Sequence, residues 1–148
     1  MIIRNADLDR DMHAIIKGGR KFAEETAYWV RLPSDDSIFS QHVARLAMLD
    51  SIEVLVADDG GQVIGCIAML YAPSLWNPMI TLAEELFWST FQGAPFGTGP
   101  QLVKKAIHRA RERHAVPIFR ALVTMPGVAA VYRREGLEPA ETIYTEVQ

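Results

Sequence analysis

Apolar residues in this 148-residue chain follow two rhythms. Short runs such as Ile52–Ala57, Gln62–Tyr71 and Thr81–Thr90 read as strands, while longer stretches return apolar side chains to one face at helical spacing. Ile2–Asn5 predicts a first strand. Asp7 can cap a helix in which Leu8, Met12, Ile15, Ile16, Phe22 and Ala23 share a face. Gly18-Gly19 predicts a weak point or kink in that helix, and Leu32-Pro33-Ser34 ends the segment. Ser37–Leu49 predicts a second helix with Ile38, Val43, Leu46 and Leu49 inward. Asp58-Asp59-Gly60-Gly61 joins two strands as a hairpin. A loop with Pro73, Trp76, Asn77 and Pro78 follows, then the strand Thr81–Thr90. A third helix is predicted from Thr98 to His114, with Leu102, Val103, Ala106, Ile107 and Ala110 buried. Phe119–Thr124 reads as a strand, Gly127–Glu135 as a helix closed by Gly136, and Thr142–Val147 as a last strand.

This order predicts an α/β chain with a mixed sheet and helices on both faces. The hairpin in the middle argues against a purely parallel dinucleotide-binding sheet, and no ribose-binding acid follows the glycine loop at the expected distance. The length suits one domain, residues 1–148. A net charge of −3 gives no global field to attract nucleic acid. The single cysteine, Cys66, rules out an internal disulfide, and its apolar surroundings read as core. Met1–Arg10 lacks the apolar run of a signal peptide, and no stretch reaches the roughly 18–20 apolar residues of a membrane span. A cytoplasmic setting without membrane contact is the expectation. His13, His42, His108 and His114 show no ligand spacing, so no metal is expected.

The most informative stretch runs from Thr81 to Ala106. A strand with two adjacent acids, Glu84 and Glu85, enters a Gly/Pro loop, and the loop opens a helix. Small residues let backbone N–H groups approach an anion, and the helix N-terminus adds a favourable dipole. A phosphate-bearing ligand fits that order; so does a plain turn before a helix. The two glutamates are neighbours on a strand, so they point to opposite faces and one alone can face a site. Lys104, Lys105, His108, Arg109, Arg111 and Arg113 make the third helix basic, which commonly is a solvated face.

Taken together, the chain resembles the GNAT superfamily of N-acetyltransferases over essentially its whole length. Ala94-Pro95-Phe96-Gly97-Thr98-Gly99 stands where that family has Gln/Arg-x-x-Gly-x-Gly/Ala, and PQLVKKAIHRA matches the helix that follows. Tyr132 precedes Gly136-Leu137 in VYRREGL, as in the family's last helix. FAEET, AEELFW and GLEPAETIYTEV are similar to a subgroup often encoded by tailed bacteriophages. Three positions depart from the pattern: Ala94 replaces the opening Gln/Arg, although Gln92 lies just upstream; Met125 replaces a frequent asparagine; and Pro100 removes a backbone donor.

The resemblance implies a twisted mixed sheet of about six to seven strands. It implies acetyl-CoA as co-substrate, transfer to a primary amine in a ternary complex, and a fold compatible with a homodimer. It places the pyrophosphate on the N–H groups of Gly97, Thr98, Gly99, Gln101 and Leu102, and some of the basic third helix near the 3′-phosphate. The pantetheine arm would lie along the strand at Phe87, Trp88 and Ser89, one of which supplies an oxyanion donor. That strand must splay from its neighbour, with a bulge. An amine near the lysine pKa of about 10.4 must lose a proton; Glu84 is the favoured base, with Glu85 the alternative. Tyr132, a phenol, is the implied acid for the departing thiolate. Glu25 and Tyr28 border the implied acceptor pocket, and Trp88 either walls a pocket or packs in the core. The alternative is a catalytically weak binding or structural protein on the same scaffold.

Overall fold

The computed structural model describes residues 1–25, 35–121 and 125–140. Five strands form one sheet in the order β1 (Ile2–Asn5), β2 (Ile52–Asp59), β3 (Gln62–Pro73), β4 (Thr81–Thr90) and β5 (Ala115–Ile118). β1 to β4 pair antiparallel, and β5 joins β4 in parallel. The sheet is therefore mixed, with five strands among the described residues rather than six or seven. β5 begins four residues before the strand expected at Phe119–Thr124, of which the described part, Phe119–Ala121, is irregular. His114, in the left-handed region at φ 54°, breaks the helix and starts β5. Pro117 is tolerated because β5 is an edge strand among the described residues. Residues 122–124 and the expected strand Thr142–Val147 lie outside the described residues.

The β2–β3 hairpin closes through Gly60 and Gly61, at φ 63° and 93°. Two positive φ values in a two-residue turn match the right-handed strand twist, and glycine meets that demand without strain.

Among the described residues four helices cover the sheet: α1 (Leu8–Glu25), α2 (Asp36–Met48), α3 (Thr98–Glu112) and α4 (Pro126–Arg134). α3 and α4 cover a core built on Leu55, Ile67, Met69, Leu102, Val103 and Ile107. α1 and α2 cover a second core, on the other face, built on Ile15, Val43, Val56, Cys66 and Phe87. In α2 the inward stripe is Phe39, Val43, Leu46 and Ala47, spaced i, i+4, i+7, i+8. Ile38 falls off that stripe and Leu49 caps the helix, so both are exposed instead of inward.

α1 runs unbroken through Gly18 and Gly19. Both glycines serve close approach, not bending. A Cβ at Gly18 would collide with Cys66 Sγ, and one at Gly19 would sit 2.8 Å from the Phe39 ring. The approach is fastened by Ser89, whose hydroxyl donates to the Gly18 carbonyl at 3.0 Å.

Gly18→Ala is therefore expected to lower unfolding free energy by about 1–3 kcal/mol despite alanine's better helix propensity. Gly127→Ala in α4 meets open space and should raise it by about 0.5 kcal/mol. Urea denaturation of both variants measures the contrast; equal shifts would contradict the close-packing account.

Candidate active site

One extra residue in β4 decides what the site contains. Ala68 pairs with Phe87 and Met69 pairs with Glu85, so Leu86 is a bulge. In a regular strand Glu85 and Phe87 would share a face. The bulge turns them apart. Phe87 and Ser89 enter the α1 side, while Glu85, opposite Met69, and Trp88, opposite Ile67, face α3 and α4. The bulge expected on this strand is present.

β5 pairs with β4 over Thr81–Glu84 and no further. Beyond that point the outer edge of β4, from Glu85 to Thr90, has no strand partner among the described residues. Such an edge can receive an extended ligand arm as an added partner. At its far end the chain turns through Gly93, at φ 86°, and Gly97, at φ 92°, into α3. Thr98 N–H donates to Pro95 O and Gln101 N–H to Gly97 O. The N–H groups of Gly97 and Gly99 meet no acceptor among the described residues. Pro100 is the third helical residue, not the first; its missing N–H would have had no intrahelical acceptor in that turn. Thr98 and Leu102 turn their side chains into the interior, so neither side chain is available to a phosphate there.

Tyr132 stands where β4, α4 and the segment after β5 meet. Its position is set by the end of α4. Leu137 N–H donates to Tyr132 O and Gly136 N–H to Arg133 O, with Gly136 at φ 81°. This is a Schellman closure, and it gives the Tyr-x-x-x-Gly-Leu spacing a mechanical meaning. The phenol oxygen accepts from Trp88 Nε1 at 3.0 Å. Its single proton is shared between Glu85 Oε2 at 3.3 Å and Arg120 O at 3.2 Å. The Phe119 ring tilts against it, with centroids 5.1 Å apart.

Glu85 is 3% exposed. It accepts from Arg120 N–H at 3.2 Å as well as from Tyr132. Burial raises its carboxyl from the ordinary 4.5 to about 7, against the opposing pull of those two hydrogen bonds. Burial, and then the charge of Glu85, hold the Tyr132 phenol well above its ordinary range, with the Trp88 hydrogen bond working the other way. Tyr132 is thus protonated at neutral pH, and Glu85 changes charge there.

Glu84, the acid favoured by sequence, points elsewhere. Its carboxylate takes a hydrogen bond of 2.7 Å from the Arg120 guanidinium and is partly exposed. Arg120, not anticipated by sequence, clasps both acids and the phenol through three different groups. Glu25 ends α1 in an ion pair with Lys21, with no contact to Tyr132 or Glu85; Tyr28 lies outside the described residues. In α3, Arg109 is committed to Glu53 and His108 to Glu112, while Arg111 bonds the Glu135 carbonyl; Arg113, capping the helix, pairs with Asp50. Lys104 and Lys105 are the remaining basic groups of that helix. Cys66 is fully buried, and burial pushes its thiol up to about 12, which disqualifies it as a nucleophile. No group of three His, Cys, Asp or Glu side chains gathers as a metal site among the described residues. None of the described helices is long and apolar enough to cross a membrane.

No protein-family model matches the sequence, and no curated protein is a significant match. Solved structures do match. A ribosomal-protein-alanine N-acetyltransferase from Brucella melitensis superposes with a TM-score of 0.78 at 24% identity, over 95% of this chain and 86% of that one. A predicted acetyltransferase from Clostridium acetobutylicum, solved with acetyl-CoA, gives 0.73 at 15% identity, over 99% and 95%. A transcriptional regulator from Bacillus halodurans gives 0.78 at 19% identity, over 99% of both chains.

Because the Glu85 carboxyl is raised in the fold, its contribution to stability is complete below its unfolded value near 4.5 and is lost as pH rises through about 7. Glu85→Gln should therefore gain on the natural protein by about 3 kcal/mol between pH 4.5 and pH 8. Urea denaturation across that range measures it; parallel pH curves would show that Glu85 ionises freely. The described residues have the fold of the GNAT acetyltransferases on which the chain superposes.

Proposed function

We propose that this protein transfers an acetyl group from acetyl-CoA to a primary amine, in a ternary complex, with Glu85 and Tyr132 as its proton-handling pair. The observation that carries the reading is the Glu85–Tyr132 contact at the point where β4 parts from β5. Acetyl-CoA, when bound, supplies an activated thioester carbonyl. The Gly97 and Gly99 N–H groups suit its phosphates, and the unpaired edge of β4 suits its pantetheine arm and offers N–H groups toward a developing oxyanion.

Proton movements at the amine and at the leaving sulfur must then be managed. The amine must be neutral before it attacks. Glu85 accepts that proton, directly or through water; a base with a pKa near 7 is matched to neutral pH. Tyr132 gives its proton to the sulfur as the carbon–sulfur bond breaks; the newly acylated nitrogen loses its second proton, through water, to the Tyr132 phenolate, and Glu85 releases the first to solvent. Glu84, whose charge is engaged by Arg120, orients that residue rather than taking the proton. A buried Cys66 supports direct transfer over a covalent intermediate.

The acceptor stays at the level of a primary amine. One structural neighbour is named for a ribosomal-protein alanine and another as a regulator, so fold alone does not choose among small molecules, peptides and protein lysines.

Thiol release from acetyl-CoA across a panel of primary amines tests the reading. With the best acceptor, Tyr132→Phe and Glu85→Gln should each lower kcat about 100-fold, with acetyl-CoA affinity kept. The natural protein's kcat/KM should rise as pH passes about 7, and Glu85→Gln should flatten that limb. Full turnover by Tyr132→Phe would remove its acid role. Loss of activity in Glu84→Gln with retention in Glu85→Gln would move the base to Glu84.

A further inference from the structure

We propose that Trp88 is a positioning residue for Tyr132: its indole N–H orients the phenol and ties it to the first turn of α3. The inference rests on the acid role given to Tyr132 above.

An indole nitrogen can donate a hydrogen bond but cannot accept one. The 3.0 Å contact from Trp88 Nε1 to Tyr132 Oη therefore has one possible polarity. It occupies a lone pair of the phenol and forces the phenol's own proton to point away. The acceptors on that other side are Glu85 Oε2 at 3.3 Å and Arg120 O at 3.2 Å. Both are long for an O–H···O bond, whose usual length is about 2.7–2.8 Å. The proton is thus held in a defined direction but loosely, a suitable state for a group that must release it.

Release changes the value of the indole contact. With the proton gone, the same N–H faces a phenolate oxygen, and hydrogen bonds to a charged partner are about twice as strong as neutral ones. The interaction strengthens as the proton leaves, so it favours the reacting state over the resting one.

The other end of the same ring meets the phosphate loop. A Cβ at Gly99 would lie 2.7 Å from Trp88 Cζ3, so helix α3 rests its first turn directly on the indole. The Gly99 N–H itself meets no acceptor among the described residues. One rigid side chain therefore spans from the proposed phosphate cradle to the proposed acid. It can do so because the Leu86 bulge puts Trp88 on the α3 and α4 face, opposite Ile67.

The test is a double-mutant cycle read by kcat and by KM for acetyl-CoA. Trp88→Phe keeps an aromatic ring against Gly99 and deletes the N–H. It should lower kcat about tenfold while KM stays nearly constant. In a Tyr132→Phe background the same change should cost nothing further, because the phenol it serves is gone. Benzothienylalanine in place of Trp88 puts sulfur where the N–H was in a ring of nearly the same shape. It repeats the test without lost volume, should Trp88→Phe fold poorly by circular dichroism. An unchanged kcat in the N–H-deleted forms, beside a slow Tyr132→Phe, would overturn the inference and leave the acid role standing. Losses that multiply in the double variant, or a raised KM with kcat kept, would reassign Trp88 to packing. Full turnover by Tyr132→Phe alone would overturn the acid role and this inference with it.

Discussion

The bulge at Leu86 makes β4 serve two cores at once. Before it, the strand sends Ala83 and Glu85 toward α3 and α4; after it, Phe87 and Ser89 go to α1 while Trp88 returns to the α3 side. Without the extra residue, Glu85 and Phe87 would compete for one face, and either a carboxylate or a large aromatic would be misplaced. The carboxyl, the indole and the phenol meet because this one irregularity resolves that conflict. The parting of β4 from β5 begins at the same place, so the geometry that gathers the polar groups also opens the strand edge beside them.

The site's electrostatics follow from its dryness. Glu85 lies in a largely apolar setting, with two hydrogen bonds to keep its charge tolerable. Burial outweighs them, and its proton affinity rises into the neutral range. Tyr132 is pushed the same way, toward holding its proton. An acid that keeps its proton and a carboxyl that exchanges its own near neutrality suit the acid and base roles proposed for them. Arg120 holds the arrangement together from outside, through its N–H, its carbonyl and its guanidinium.

Much of this was legible in the chain itself. The Gly60-Gly61 turn, the apolar stripe of α3, and the Tyr-x-x-x-Gly-Leu closure of α4 are local devices, and local spacing announces them. The glycine loop before α3 was equally visible. What sequence could not assign was facing. Glu84 and Glu85 are adjacent and chemically identical, and the choice between them depends on the register of β4 against β3, which no short window contains. The Trp88–Tyr132 bond joins residues 44 apart, and Gly18-Gly19 looked like a helix defect because Cys66 and Phe39, which need the space, are distant in sequence. β5 was misplaced because Pro117 disguises an edge strand and His114 ends α3 without a glycine.

The central claim is that the loop into α3 and the edge of β4 beyond Glu84 form a seat for acetyl-CoA beside Tyr132. Isothermal calorimetry with acetyl-CoA, using CoA and ATP as controls, tests it most directly. The account predicts binding in the micromolar range or tighter, with little heat from ATP. No acetyl-CoA binding even at millimolar concentration would contradict it, and would leave the chain a GNAT scaffold put to another use.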